Sequence, residues 1–250
     1  MAGRSWKTEA VVLRSIRYGE ADRILHLFTL DRGRVGAIAK GARKTTSRFG
    51  ARLEPFSHVE VVLHEGRGEL HTVTSAHLVR SHDASRVDAY RLAVGSIGLE
   101  AVSRLFLEGD ESPRAFHALA RFLELVDGAG ATLPAQPALD PLVLSFQLKL
   151  LWLSGYLPHL AGCASCGEEA SLVGFSPRAG GGVCTACEAG AIPISPEGFE
   201  AIRGLLERPL ADAQGAPLTE AGRRDALRLV ESSYEYHGGF RMRTLAHQGS

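Results

Sequence analysis

The hydrophobic pattern changes period once, near residue 83, and that change constrains the fold more than any other feature of the chain. Before it, apolar residues fall in short β-branched runs or strict alternation. Thr8 to Arg17 holds Ala10-Val11-Val12-Leu13 and Ile16, and ends at Tyr18-Gly19-Glu20. Arg23 to Leu30 ends at Asp31-Arg32-Gly33, a hairpin turn in which glycine supplies the positive φ. Arg34 to Lys40 places Val35, Ala37 and Ala39 on one face. Ser57 to His64 does the same with Val59, Val61 and Leu63, Glu65 to Gly68 turns the chain, and Glu69 to Val79 is a fifth run. Five short strands with glycine turns predict a small antiparallel barrel, whose closure removes exposed edges.

After residue 83 the recurrence is three and four. Val87, Tyr90, Val94, Ile97, Ala101 and Leu105 make one helix face. Ser112-Pro113, Asp140-Pro141 and Ser195-Pro196 each open a further helix, because proline at the first helical position lacks only an N–H that would be unpaired anyway. Thr219 caps another carrying Leu227, Val230 and Tyr234. Gly128 to Pro137 reads as a flexible loop or linker. The expectation is an α+β chain of two domains: a barrel over 1–80 and a helical domain over 83–250 with an insert at about 160–190.

No run approaches the ~18 apolar residues of a membrane helix. The nearest, Leu142 to Leu153, is broken by Ser145, Gln147 and Lys149. The N-terminus has no apolar stretch before a small-residue cleavage site, so a soluble cytoplasmic protein is expected. In that reducing compartment cysteines serve as ligands or thiols rather than as disulfides.

Cys163-x-x-Cys166 and Cys184-x-x-Cys187 are separated by 17 residues, which matches zinc-ribbon spacing. Gly162, Gly167 and Gly190 flank the pairs as tight knuckles require, and Gly180-Gly181-Gly182 suggests the tip of a small hairpin between them. Four thiolates leave no open position for water, so one structural zinc is expected, holding an insert too small to fold alone. Two disulfides fit less well, and a redox CxxC would leave one pair unexplained.

The chain carries 28 basic and 28 acidic side chains, yet the charge is unevenly placed. Residues 1–82 hold 14 basic against 8 acidic groups. Between Arg32 and Leu53 stand Arg32, Arg34, Lys40, Arg43, Lys44, Arg48 and Arg52 with no carboxylate. Hydroxyl and small residues separate these cations, which suits a phosphate backbone, and Arg14 and Arg17 are candidates to extend the patch. A solvated charged loop is the plainer alternative. Phe49, the only aromatic within Lys40 to Arg52, reads as a plug for the barrel rather than a platform for a base. No GxxxxGK[ST], GxSxG or HExxH occurs, and none of the ten histidines pairs with a carboxylate at a telling spacing. A binding protein, not an enzyme, is expected.

Several blocks together resemble the RecO family of bacterial recombination mediators. They are Tyr18-Gly19-Glu20, Asp31-Arg32-Gly33-Arg34, Lys40-Gly41-Ala42-Arg43, Leu53-Glu54-Pro55-Phe56, Phe146 to Leu151, Gly155-Tyr156-Leu157-Pro158 and Cys163-x-x-Cys166-Gly167, in order over nearly the whole chain. The resemblance implies an oligonucleotide/oligosaccharide-binding (OB) barrel. It implies binding of single- and double-stranded DNA, strand annealing, and action with RecR and RecF to load RecA onto strands coated by the single-stranded DNA-binding protein SSB. It also implies a cytoplasmic, nucleoid-associated protein. One departure stands out. The family often has basic residues just before the Phe146 motif, near a groove for the acidic SSB tail; here Leu144 and Ser145 occupy those positions, leaving Lys149 and Arg121 as the candidate cations. Two other readings fit the residues: an RNA-binding factor of translation or transcription, which the acidic helical half argues against, and an adaptor that grips an acidic protein tail.

Overall fold

A computed structural model describes residues 4–66, 68–128 and 136–246. Most of the glycine-rich loop at 128–137 therefore lies outside the described residues, as does Arg67 in the turn after the fourth strand. Five strands come first: β1 (Ser5–Tyr18), β2 (Asp22–Thr29), β3 (Gly33–Ala39), β4 (His58–His64) and β5 (His71–Arg80). They pair in the order β1-β2-β3-β5-β4 and close on β1 as a barrel. All ladders are antiparallel except β3 with β5, which pair in parallel at Ala37↔His71 and Ile38↔Thr72. A β-bulge between Val12 and Arg14 lets the long first strand bend enough to pair on both sides.

Alternation explains the barrel interior. Ala10, Val12, Leu25, Leu27, Val35, Ala37, Ala39, Val59, Val61, Leu63, Val73 and Ala76 pack together, with Phe49 and Leu53 added from the segment after β3. The turn after β2 shows why glycine is required at position 33. Its φ is +60°, and a Cβ there would lie 2.2 Å from the Asp110 carbonyl oxygen.

The helices are α1 (Ala84–Val87), α2 (Ala89–Leu105), α3 (Pro113–Asp127), α4 (Pro141–Leu153), α5 (Pro196–Glu207), α6 (Glu220–Gly238) and the short α7 (Arg243–Ala246). The single helix expected from residue 83 onward is instead two. Asp88 ends α1 and caps α2 by accepting from the Arg91 N–H, so helical periodicity restarts there. Three of the expected caps form as side-chain hydrogen bonds: Asp140 to Leu142 N–H, Ser195 to Gly198 N–H and Thr219 to Gly222 N–H. Ser112 makes none.

By contact the chain divides into two compact units, 1–95 with 102–129 and 96–101 with 130–250. Residue 83 thus marks the end of the strands, and the first unit continues into helix. The reason lies on the outer face of β2. Phe28 is fully buried there, with ring centroids 5.4 Å from Phe106 and 6.4 Å from Phe116. In the second unit α4 is buried almost all round, and Tyr234 of α6 donates to the Gln147 side-chain carbonyl within that core. A three-stranded sheet in the order β7-β6-β8 is built from β6 (Leu172–Ser176), β7 (Gly181–Cys184) and β8 (Ile192–Pro193). The expected hairpin with its glycine tip is β6–β7.

Candidate nucleic-acid interface and metal centre

The segment from Lys40 to Ser57 joins β3 to β4 and is pinned at its start. The Gly41 N–H donates to the Asp22 carboxylate at 2.7 Å, and the Arg43 N–H donates to the Ala21 carbonyl at 2.8 Å. A short 3-10 turn, Gly50–Leu53, then drops Phe49 and Leu53 into the barrel. Phe49 is 1% exposed, so it is a plug and is closed to any base.

Lys40, Arg43, Lys44, Arg48 and Arg52 are all exposed. Among the described residues none of them meets a carboxylate. Arg43 reaches the Gly19 carbonyl at 3.4 Å, Arg52 donates to the Arg48 carbonyl at 2.8 Å, and the Arg48 guanidinium lies 5.0 Å from the Phe49 ring centroid. These contacts orient the side chains and leave their charge uncompensated.

Arg32 and Arg34 do not join them. Both sit at the opposite end of β3, and six residues of strand at about 3.3 Å each put roughly 20 Å between Arg34 and Lys40. Arg32 lies 4.0 Å over the Trp6 ring and 3.7 Å from the Glu65 carboxylate. Arg34 donates to the Ser103 carbonyl. The linear run of seven cations is therefore five in one loop and two elsewhere. Arg17 is exposed near the loop's end of the barrel, paired in register with Arg23. Arg14, also exposed, pairs with His26 further along β1. The His26 imidazole is held below its ordinary value by burial first, then by Arg14 and Arg34, with Glu108 opposing. Arg23 faces Glu54 at 2.7 Å and serves the scaffold.

The β1–β2 turn is the part that sequence reading left out. It is bonded to the basic loop and carries Tyr18, 54% exposed. The signal was available in Tyr18-Gly19-Glu20, but the bonds that bring it to the loop span about 20 residues of chain.

The four cysteines converge at the base of the small sheet. Their sulfurs all lie within 4.8 Å of one another, and Cys166 and Cys184 are 3.8 Å apart. A tetrahedron with Zn–S near 2.3 Å has edges of about 3.8 Å, so the donor set fits that ion, whereas a disulfide would need about 2.05 Å. Gly167 takes φ +80°, which lets the first knuckle turn back, and its N–H reaches the Cys163 carbonyl. Backbone hydrogen bonds at Cys166 and Cys184 draw the Cys163 thiol down to about 6, which favours thiolate; the Cys184 N–H to Cys163 Sγ distance is 3.4 Å. A hydrogen bond with the Cys166 sulfur, then burial, pushes Cys187 up to about 12.

Leu144 and Ser145 are fully buried and present no surface. Lys149 donates to the Leu205 and Leu206 carbonyls at 3.2 and 2.9 Å, capping the last turn of α5, and burial lowers its pKa. Arg121 pairs with Glu124 at 3.0 Å. Arg80 faces the same carboxylate at 3.3 Å, so of these positions only Arg121 presents an exposed cation. No helix among the described residues is long and apolar enough to cross a membrane.

Two family models meet where the strands end. Residues 1–82 match the family model described as Recombination protein O N terminal, and residues 86–246 match Recombination protein O C terminal. Among curated relatives, the DNA repair protein RecO of Rubrobacter xylanophilus is 42% identical over 226 residues, 88% of each chain. That of Nocardioides is 37% identical over 237 residues, 93% of this chain and 94% of the relative. That of Frankia casuarinae is 38% identical over 239 residues, 93% of each.

Proposed function

Since the chain belongs to the recombination protein O family, with the DNA-repair role that its relatives' names carry, we propose that it is a non-enzymatic mediator of strand pairing. In this reading the five-stranded barrel is of OB type and binds single- and double-stranded DNA without sequence preference, because phosphates carry no sequence information. The observation that carries the reading is the loop after β3: five exposed cations with no carboxylate partner among the described residues. Two DNA strands repel each other. A surface that neutralises both raises their local concentration and lowers that repulsion, so annealing needs no covalent chemistry.

One zinc held by Cys163, Cys166, Cys184 and Cys187 would stabilise the small sheet, with no water-binding position and so no catalytic part. The partners are RecR and RecF, with loading of RecA onto SSB-coated strands as the outcome. SSB engagement would use a surface other than Leu144 and Ser145. The protein would work in the cytoplasm, at the nucleoid. The RNA-binding alternative loses ground, since the relatives are named for DNA repair.

The test is annealing of complementary oligonucleotides, bare and SSB-coated, followed by fluorescence. The wild type accelerates both reactions. Alanine at Lys40, Arg43, Lys44 and Arg48 slows them toward the uncatalysed rate; an unimpaired variant would remove the loop from the mechanism.

A further inference from the structure

Cations recognise phosphates in any form of DNA. A planar face can distinguish an open strand from a duplex, because only an open strand offers an unstacked base. Phe49 is closed to that role by its burial in the barrel core. Among the described residues the aromatic at this end of the barrel that remains open is Tyr18, the last residue of β1, whose register partner is Asp22.

Three hydrogen bonds tie its turn to the basic loop: Gly41 N–H to Asp22, Arg43 N–H to the Ala21 carbonyl, and the Arg43 guanidinium to the Gly19 carbonyl. The Tyr18 ring has no ring partner, and its hydroxyl no hydrogen bond, among the described residues. A strand of known pairing fixes its backbone, exposed Arg17 precedes it, and the uncompensated cations of the loop lie beyond the turn. An aromatic face beside a cationic track is the arrangement by which single strands are bound: bases on the ring, phosphates on the cations.

We propose that Tyr18 is the base-stacking residue of this interface and gives it preference for single-stranded over duplex nucleic acid. The inference rests on the loop from Lys40 to Arg52 being a nucleic-acid surface. For annealing it has a direct use, since a base held on an exposed ring is presented unstacked to its complement.

The experiment measures binding to three labelled ligands of equal length by fluorescence anisotropy: an oligothymidylate, an abasic oligonucleotide and a duplex. Tyr18→Ala should weaken oligothymidylate binding by about 5- to 150-fold, the range for loss of one base–aromatic stack, and leave the other two unchanged. Tyr18→Trp should keep the affinity and add fluorescence quenching on binding beyond that of the wild type. Thermal melts should coincide for all three proteins, since the ring is exposed. Equal weakening for all three ligands, or for none, would overturn the assignment. The loop variant separates the two ideas. If the four-alanine protein loses all three ligands while Tyr18→Ala loses none, the cationic surface stands and only stacking falls. If the four-alanine protein binds all three as the wild type does, the surface itself is misplaced.

Discussion

Replacing Lys40, Arg43, Lys44 and Arg48 by alanine makes a prediction whose size follows from the ion-pair pattern. Each cation that neutralises a phosphate releases counterions, so log K falls with log salt at about −0.7 per contact on a single strand. If the five unpaired loop cations, Arg52 included, each take one phosphate, the wild-type slope is about −3.5. Between 50 and 200 mM salt that amounts to roughly a 130-fold loss of affinity. With only Arg52 left the slope falls to about −0.7, and the same change in salt costs only about threefold. Arg32→Ala is the internal control. Arg32 already faces Glu65 at 3.7 Å and lies over Trp6, roughly the length of β3 away from the loop. Its loss should leave the slope within about half a unit of wild type. Fluorescence titration of a short oligonucleotide at four salt concentrations reads all three proteins. A four-alanine variant with the wild-type slope would refute the reasoning, and so would an Arg32→Ala protein that loses as much slope.

Two further outcomes follow from other parts of the molecule. Metal analysis after purification without chelators should find one zinc per chain, and Cys163→Ser or Cys187→Ser should lose it and expose the 160–190 region to protease; full occupancy in either variant would count against the four-sulfur site. In the first unit His82 is buried, its Nδ1–H donates to the Phe56 carbonyl at 2.8 Å, and Nε2 has no partner among the described residues; burial sets its pKa below the ordinary 6.5. The unfolded chain then takes up a proton that the folded one refuses: stability is complete above about pH 6.5, declines as pH drops through that value, and stops declining below the folded pKa. His26 and His71 shift the same way, so His82→Asn, which tolerates the position's φ of +54°, should flatten this acid-side decline in urea midpoint without abolishing it; a profile parallel to the wild type would exclude His82 as a contributor.

What the sequence revealed and what it hid divide by the range of the interaction. The four-cysteine cluster was legible because each knuckle is four residues long and its geometry is local: two residues between cysteines, with glycine beside them, let each pair turn back on itself. The barrel interior was legible for the same reason, since Val35, Ala37 and Ala39 alternate whatever their partners are. Helix starts were legible where a cap and proline coincide. The break at Asp88 was missed because apolar spacing continues across it, while the decisive bond, Asp88 to the Arg91 N–H, is polar; Val87, counted in the helical face, is 86% exposed at the end of α1. The cationic run misled in one respect. Counting charge along the chain treats neighbours in sequence as neighbours in space, and an extended strand is where that fails most, because it moves the chain farther per residue than any other regular element. Arg34 and Lys40 are six residues apart in the sequence and at opposite ends of a barrel. The converse error hid Tyr18, which is 22 residues from Lys40 yet shares its end of the barrel through the bonds of Gly41 and Arg43. A functional surface built on a closed sheet gathers strand ends and turns of one polarity. The useful count of charges and rings on such a fold is therefore taken by barrel end: Tyr18, Arg17 and the loop from Lys40 to Arg52 at one end, Arg32 with Trp6 and Glu65 at the other.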